Sequence, residues 1–285
     1  VAIQLELYER KTRALLHILE QKQQYQALIA SMPDSRSSLV CFMWKTPILV
    51  DAVRASVWLA LLTESEESFV ESHYMELVEA RDRSGARLLD KIVLDVQRTL
   101  PKLLSPQEVN WLIDMVDLAR YQDGFAYRQG VTMLAVPFVQ LYAHTSPAWA
   151  LHLFYRFWLQ VNGLLHSLVE QFERALNILE PTLVTYLQQK GISPASYAAQ
   201  WLYPLWIGVE WDWKLVWRFW DMYVAEGVHL HPLCCAVYFA SFHGVWMQCD
   251  FVTFFQKLKQ LPPPDVNAVV EEARQLASQL GVNTQ

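Results

Sequence analysis

Glycine is scarce in this sequence, at 9 of 285 residues, and no segment carries a convincing strand pattern. Apolar residues instead recur at spacings of three and four, which is the period of a helix that buries one face. The scarcity of glycine and this periodicity together predict an all-α fold.

Basic residues are also in short supply, since 23 Lys and Arg stand against 29 Asp and Glu and the formal net charge is −6. A nucleic-acid binder normally needs a basic patch to neutralise phosphates, so no nucleic-acid partner is expected. Hydrophobic residues make up 53% of the chain, which is enough for a sizeable core. The expected partners are proteins or small molecules.

Only four cysteines are present, and they show neither the CxxC spacing of redox and metal sites nor a dense disulfide framework. This usage favours a reducing compartment. Residues 1–16 mix charges into their apolar positions, so no secretory signal is expected. The sequence therefore predicts a cytoplasmic protein.

Two stretches, 129–155 and 227–249, lack any Asp, Glu, Lys or Arg and are long enough to cross a bilayer. Both contain histidines and prolines, which are costly in hydrocarbon when they have no partners. The two stretches are interpreted as buried core helices, and the protein is not expected to be transmembrane.

A glycine-rich phosphate loop is also missing, so no nucleotide or other cofactor of the chain's own is expected. His229, His231, Cys234 and Cys235 have the chemistry of zinc ligands. Pro232 is expected to break their segment, however, and no second spaced pair accompanies them. They are interpreted as core or capping residues, and no metal site is predicted.

Helical periodicity and the breaks between periodic segments predict helices near 49–62, 67–80, 86–96, 106–120, 132–143, 147–158, 164–187, 193–206, 213–225, 233–249, 251–258 and 265–280. An amphipathic helix is also predicted within residues 1–30, with Leu15, Ile18 and Leu28 on its apolar face. That face either packs on the main body or meets a helix of a partner such as an adaptor protein.

The segment LDKIVLDVQRTLP, residues 89–101, places Asp95 and Arg98 three residues apart on one helix face, where the carboxylate can hold the guanidinium. Pro101 is expected to end the helix, so Arg98 would lie at its C-terminal tip. A cation there is either an ordinary partner of the helix dipole or a long side chain that projects from the body. These residues alone leave both interpretations open.

A second motif, YRQG at residues 127–130, precedes an apolar helix. Gly130 permits a positive φ or a close backbone approach, and the amide of Gln129 can both donate to an anion and accept from a water. A loop-capping role is the alternative interpretation of Gln129.

Taken together, the motifs resemble the signatures of the TBC domains, which are Rab GTPase-activating proteins. Four motifs match in the family's order across residues 44–255. The matching residues are Arg54 and Trp58 of Arg-x-x-x-Trp; Ile92, Asp95 and Arg98 of Ile-x-x-Asp-x-x-Arg; Tyr127, Gln129 and Gly130 of Tyr-x-Gln-Gly; and Arg218, Trp220, Asp221 and Gly227 of an Arg-x-Trp-Asp element.

The resemblance implies an all-α TBC fold of two packed subdomains, which lends two residues to a bound Rab-like small GTPase. Arg98 would be an arginine finger that offsets charge on the transferring phosphoryl group, and Gln129 would position the attacking water. GTP and Mg²⁺ would belong to the GTPase, so the chain would activate an enzyme without being one. The supporting positions would be Asp95, Ile92, Tyr127, Gly130, Arg54, Trp58, Arg218 and Asp221.

The sequence departs from the family pattern at two places. Val131 and Thr132 follow the YRQG motif where Met-Asn is common, so different packing behind that loop is expected. Pro204 and Gly208 are expected to bend or shorten the helix predicted at 193–206.

By the same resemblance the chain divides into an N-terminal amphipathic helix at 1–30, the TBC domain at 44–255 and a C-terminal helical extension at 256–285. The alternative function is a non-catalytic scaffold of the same fold, which binds a small GTPase or another protein without accelerating hydrolysis. The chain further resembles a subgroup that acts at spindle poles in mitotic exit or septation. Recruitment to spindle poles or, through the GTPase, to endomembranes is therefore expected.

Overall fold

The computed structural model describes residues 20–24, 26–27, 36–46, 49–63, 69–84, 89–99 and 104–282. These residues form helices, turns and connecting loops, and none of them is in a strand, as the periodicity predicts. None of the helices in these ranges is both long enough and apolar enough to cross a membrane.

The helices are α1 (Arg36–Lys45), α2 (Asp51–Leu62), α3 (Val70–Ser84), α4 (Leu89–Thr99), α5 (Pro106–Ala119), α6 (Val131–Phe138) with a π-helical turn at Val139–Ala143, α7 (Pro147–Leu164), α8 (Leu168–Leu179), α9 (Pro181–Gln189), α10 (Pro194–Tyr197), α11 (Ala199–Leu202), α12 (Trp213–Glu226), α13 (Leu230–Ala240), α14 (His243–Trp246), α15 (Phe251–Leu258) and α16 (Val266–Gln279).

The predicted N-terminal helix lies mostly outside the described residues, which begin at residue 20. Residues 20–24 and 26–27 are helical. Gln21 is buried, and its side-chain oxygen accepts a hydrogen bond from the Val50 N–H at 3.0 Å, immediately before α2. This contact supports packing of the described part of the segment on the chain's own body.

Helix α1 is absent from the sequence-based prediction, which begins its first body helix at residue 49. The polar residues around the start of α1 resemble a loop, but Leu39, Phe42 and Met43 are buried against the core. Their spacing is that of one helical face, and α1 packs on both α2 and α12. Tertiary burial therefore decides the structure of a segment whose local pattern is weak.

The second charge-free stretch forms the centre of the C-terminal half. Helix α13 is buried along almost its whole length and packs against α8 on one side and α16 on another. The prediction that Pro232 breaks this segment is wrong. Pro232 lies in the first turn of α13, where its missing N–H removes no hydrogen bond within the helix.

The helices predicted at 164–187, 193–206 and 233–249 are each divided. Pro181 begins α9 directly after Glu180, so α8 and α9 are separate helices. The helix predicted at 193–206 ends at Leu202, before Pro204, and Leu205 and Trp206 then adopt φ values of +48° and +69°.

Such left-handed backbone is strained for large residues, so packing and hydrogen bonds must hold it. The indole of Trp220 donates to the Leu205 carbonyl at 2.9 Å. Trp206 is fully buried, and its indole donates to the Tyr223 hydroxyl at 2.8 Å. The turn is therefore fixed from within the aromatic core, to which Trp206 and Trp220 both belong.

His231 completes this network and is fully buried. Its Nε2 lies 3.0 Å from the Trp201 carbonyl oxygen, which can only accept, so Nε2 carries the proton. Nδ1 then accepts from the Tyr223 hydroxyl at 2.8 Å. Burial lowers the pKa of His231 to about 3. His231 is thus a neutral core residue whose two nitrogens are both engaged.

We expect the free energy of unfolding to decrease as the pH falls from about 6.5 towards 4. Unfolded histidine takes up a proton in this window, whereas burial lowers the pKa of His231 to about 3 and that of His152 to about 4. Each histidine contributes a slope that approaches about 1.4 kcal/mol per pH unit.

Urea denaturation over this pH range measures the slope. The variant His152→Asn should reduce it, and His166→Asn, at an exposed position, is the matched control. A free energy of unfolding that stays constant between about pH 6.5 and 5 would contradict the assignment of a neutral, buried His231 and a neutral, partly buried His152.

Candidate functional site

Helix α4 carries the first motif and is anchored by its apolar face. Ile92 and Val96, four residues apart, are both buried, and α4 packs on α5 and α6. Arg98 is the last residue but one of this helix, as the sequence predicts. Its side chain lies outside the described part of the structure. The helix nevertheless fixes where the Arg98 backbone lies.

The second motif forms the turn that leads into α6. Gly130 has φ +90° and is the N-cap of this helix, so the structure shows the positive φ, one of the two roles that the sequence leaves open for this glycine. A Cβ atom at Gly130 would meet nothing within 4 Å, so glycine is required here by backbone conformation and not by space. Gln129, the residue before it, is exposed. The rigid turn therefore presents the Gln129 amide to solvent at the surface of the domain.

A side-chain hydrogen bond joins the two motifs. The Tyr127 hydroxyl donates to Oδ2 of Asp95, across 32 positions of sequence. Burial, followed by the hydrogen bond to Asp95 and the charge of that carboxylate, raises the pKa of Tyr127. The phenol therefore keeps its proton at neutral pH and remains a donor. This bond fixes the Gln129 turn to the helix that carries Arg98.

Sequence reasoning assigned Asp95 to a different partner, Arg98, through their spacing of three. That predicted pair involves a side chain outside the described residues and stays a prediction. The contact with Tyr127 was missed because no local pattern connects positions that lie on α4 and on the loop before α6. The only sequence signal that connects Asp95 with Tyr127 is the family resemblance, because it implies that both motifs contribute to one site.

Two of the residues that depart from the family pattern directly follow the Gln129 turn. Val131 and Thr132 are both buried in the first turn of α6. In the described part of the chain, the Thr132 hydroxyl has no hydrogen-bond partner. This position thus packs as an apolar residue would.

The other predicted site residues form a buried network between α2 and α12. The Arg54 guanidinium contacts both oxygens of Asp221, with Nε at 2.9 Å from Oδ1 and Nη2 at 3.3 Å from Oδ2. The Trp58 indole also donates to Oδ1 of Asp221 at 2.9 Å. Asp221 is fully buried, and burial raises its pKa, whereas Arg54 and Trp58 act in the opposite direction. Arg54, Trp58 and Asp221 therefore join two helices and are supporting residues.

Arg218 lies three positions before Asp221 and has a similar structural role. Its Nη1 donates to the Met43 carbonyl at 2.6 Å, and its Nε donates to Oδ1 of Asn267 at 2.9 Å. The first contact is to α1 and the second is to α16. Arg218 thus connects both ends of the described body to α12. The structure arranges the predicted residues in two groups, one around Asp95 and Tyr127 and one around Asp221.

Comparison with known proteins places this geometry in context. A sequence model of the family described as the Rab-GTPase-TBC domain matches residues 51–244. The crystal structure of the Ypt/Rab-GAP domain of Gyp1p is similar, with a TM-score of 0.77 and 16% identity over 92% of this chain and 99% of that one. The Chlamydomonas flagellar RabGAP TBC domain is also similar, with a TM-score of 0.69 and 15% identity over 93% of this chain and 94% of that one. No curated protein matches the sequence.

Proposed function

The chain belongs to the Rab-GTPase-TBC domain family, and we propose that it accelerates GTP hydrolysis by a Rab-like small GTPase. The observation that carries this proposal is the Tyr127–Asp95 hydrogen bond, which fixes the helix of Arg98 to the exposed turn of Gln129. A domain that supplies two residues to another protein's active site needs both on one rigid support. The contact between the motifs provides that support.

The proposed chemistry uses the chain's residues only as non-covalent partners. In GTP hydrolysis the attacking water and the leaving β-phosphate oxygen are roughly in line, and charge spreads over the oxygens of the transferring phosphoryl group. The planar guanidinium of Arg98 can bridge two such oxygens, which the point charge of a lysine cannot. The Gln129 amide can accept a hydrogen bond from the attacking water and donate to a phosphoryl oxygen. The nucleotide and its Mg²⁺ belong to the GTPase.

Tyr127 and Asp95 act in this proposal as positioning residues. The α4 backbone sets the position of Arg98, and the bond from Tyr127 connects that helix to the loop that ends at Gly130. Its loss would leave only the packing of α4 on α6 to hold the Gln129 turn in place relative to α4. Arg98 and Gln129 would act on the same transition state, so they accelerate hydrolysis only when both are aligned with it at once. Small displacements of either residue therefore reduce the rate strongly.

We expect Tyr127→Phe to reduce the stimulated hydrolysis rate by about tenfold, because one positioning hydrogen bond is lost while the aromatic ring remains. The effect should fall on kcat, with little change in KM or in the melting temperature. Single-turnover hydrolysis with a stimulated GTPase measures it. Tyr155→Phe is the matched control, since the Tyr155 hydroxyl donates to the Asp123 carbonyl of the same loop and not to a residue of α4. Equal rates for wild type and Tyr127→Phe would remove the positioning role.

The test of the function itself is single-turnover GTP hydrolysis across a panel of purified Rab-like GTPases. Acceleration of at least one member supports the proposed activity. The rival function, a scaffold of the same fold, predicts binding to a GTP-loaded GTPase with no change in hydrolysis rate for any member. The two outcomes are distinct because binding and rate are measured separately.

A further inference from the structure

A cavity of about 480 Å³ lies beside the Gln129 turn. Three segments enclose it: the turn itself, the end of α7 with the turn that follows, and the bend at Tyr203 and Pro204. The apolar residues that line it include Val131, Leu134, Trp158, Leu165 and Tyr203. Its size lies within the range of pockets that bind small molecules, so it has ample room for one large side chain.

The cavity is preformed. Tyr203 and Pro204, which line one side of it, lead directly into Leu205, and the hydrogen bond from the Trp220 indole to the Leu205 carbonyl fixes that backbone against the aromatic core. Its floor includes Trp158, which is fully buried. A preformed pocket avoids the entropy cost of ordering when it binds.

The charge around the cavity is of one sign. Arg128 is the charged residue among the lining residues, and it is exposed at the rim together with His166. No carboxylate is found among the lining residues, all of which lie in the described range 104–282. This local cation contrasts with the net charge of −6 of the whole chain. An occupant that carries a carboxylate next to an apolar group would match the rim and the interior together.

Gln129 and Gly130 themselves line the cavity. This inference rests on the proposed function, in which the nucleotide of the bound GTPase lies against Gln129. The GTPase surface next to that nucleotide must then cover the mouth of the cavity. We propose that the cavity is a specificity subsite for the GTPase. It receives one large apolar side chain from that GTPase surface, and a carboxylate on the same segment of the GTPase faces Arg128. Apolar side chains in enclosed pockets near the centre of an interface carry much of its binding energy.

The test fills the cavity without touching Arg98 or Gln129. Leu165 lines it from the turn after α7 and is half-buried, so Leu165→Trp places a larger ring into the space. The matched control is Leu159→Trp, which adds the same ring on the exposed face of α7, away from the cavity lining. Tyr203→Ala at the exposed rim is a second variant, which removes part of the lining without inserting a larger group. Arg128→Glu reverses the charge of the rim.

The readout is KM and kcat for a GTPase that the wild-type chain stimulates. We expect Leu165→Trp and Arg128→Glu each to raise KM by about tenfold or more, with the smaller effect on kcat, and Leu159→Trp to change neither. Tyr203→Ala should raise KM in the same direction. If Leu165→Trp, Tyr203→Ala and Arg128→Glu all leave KM unchanged while wild type stimulates, the subsite is wrong and the proposed function stands.

A panel-wide absence of stimulation by the wild-type chain is a different result, which overturns the proposed function and the subsite with it. The melting temperature of each variant separates a filled cavity from a damaged fold. If Leu165→Trp unfolds, the KM values of Tyr203→Ala and Arg128→Glu decide the matter.

Discussion

Replacing Arg98 by alanine should reduce the stimulated rate of GTP hydrolysis by about 10³ to 10⁵, the range found for arginine fingers that act on a GTPase in trans. The corresponding loss of transition-state stabilisation is about 4 to 7 kcal/mol. The loss should appear in kcat, since the guanidinium meets charge that develops only during the reaction. Affinity for the GTP-loaded GTPase should change much less.

Two further variants make this prediction specific. Arg98→Lys keeps the charge but lacks the planar fork, so it should recover only a small part of the lost rate. Arg83→Ala removes an exposed arginine near the C-terminal end of α3, whose Nε donates to the Glu79 carbonyl, and should leave the rate unchanged. An Arg98→Ala variant that stimulates as well as wild type would exclude the arginine finger and favour the scaffold alternative.

Replacing Asp221 by alanine should lower the free energy of unfolding by about 3 to 5 kcal/mol, because it leaves the buried Arg54 guanidinium with only the exposed carboxylate of Asp51 as an ion-pair partner. The Arg54 side chain is 4% exposed and Asp221 is 0% exposed, so water cannot replace the lost carboxylate without rearrangement. The Trp58 indole N–H would also lose its acceptor. Urea denaturation at neutral pH measures the loss.

Asp51 provides the matched control, since it pairs with the same Arg54 guanidinium but is 79% exposed. Asp51→Ala should therefore cost at most about 1 kcal/mol. The double variant Arg54→Met with Asp221→Leu should recover much of the loss, because an apolar pair can replace a buried ion pair at little cost. If Asp221→Ala is no more harmful than Asp51→Ala, the network does not hold α2 to α12.

Local pattern accounts for the parts of the structure that were predicted correctly. The spacing of Ile92 and Val96 indicates a helix with one buried face, and the position of Gly130 before an apolar run indicates a positive φ at a helix start. Both features depend on residues close together in sequence. The all-α class follows from the same periodicity summed over the chain.

Contacts between distant positions account for what was missed. Arg54 and Asp221 are 167 positions apart, and Tyr127 and Asp95 are 32 apart, so no periodicity within one helix can reveal either pair. The motifs singled out these four residues but did not indicate which residues they contact. The left-handed backbone at Leu205 is likewise imposed by the surrounding aromatic core and runs against local preference.

Pro232 is a position at which the local sequence predicted a helix break that the structure does not have. A proline is expected to end a helix, yet its effect depends on whether it lies in the first turn or the interior. The sequence does not mark where α13 begins, because residues 227–249 are mostly apolar and contain no Asp, Glu, Lys or Arg. The start of the helix is set by its packing against α8 and α16.

The central claim is that Gln129 positions the attacking water in place of the glutamine that small GTPases normally supply for this purpose. It is tested most directly by single-turnover hydrolysis with a GTPase whose own water-positioning glutamine has been replaced by alanine. The wild-type chain should still stimulate that GTPase to within about tenfold of the unmodified one, whereas Gln129→Ala should stimulate neither. Loss of stimulation by the wild-type chain on the altered GTPase, or full stimulation by Gln129→Ala, would contradict the account.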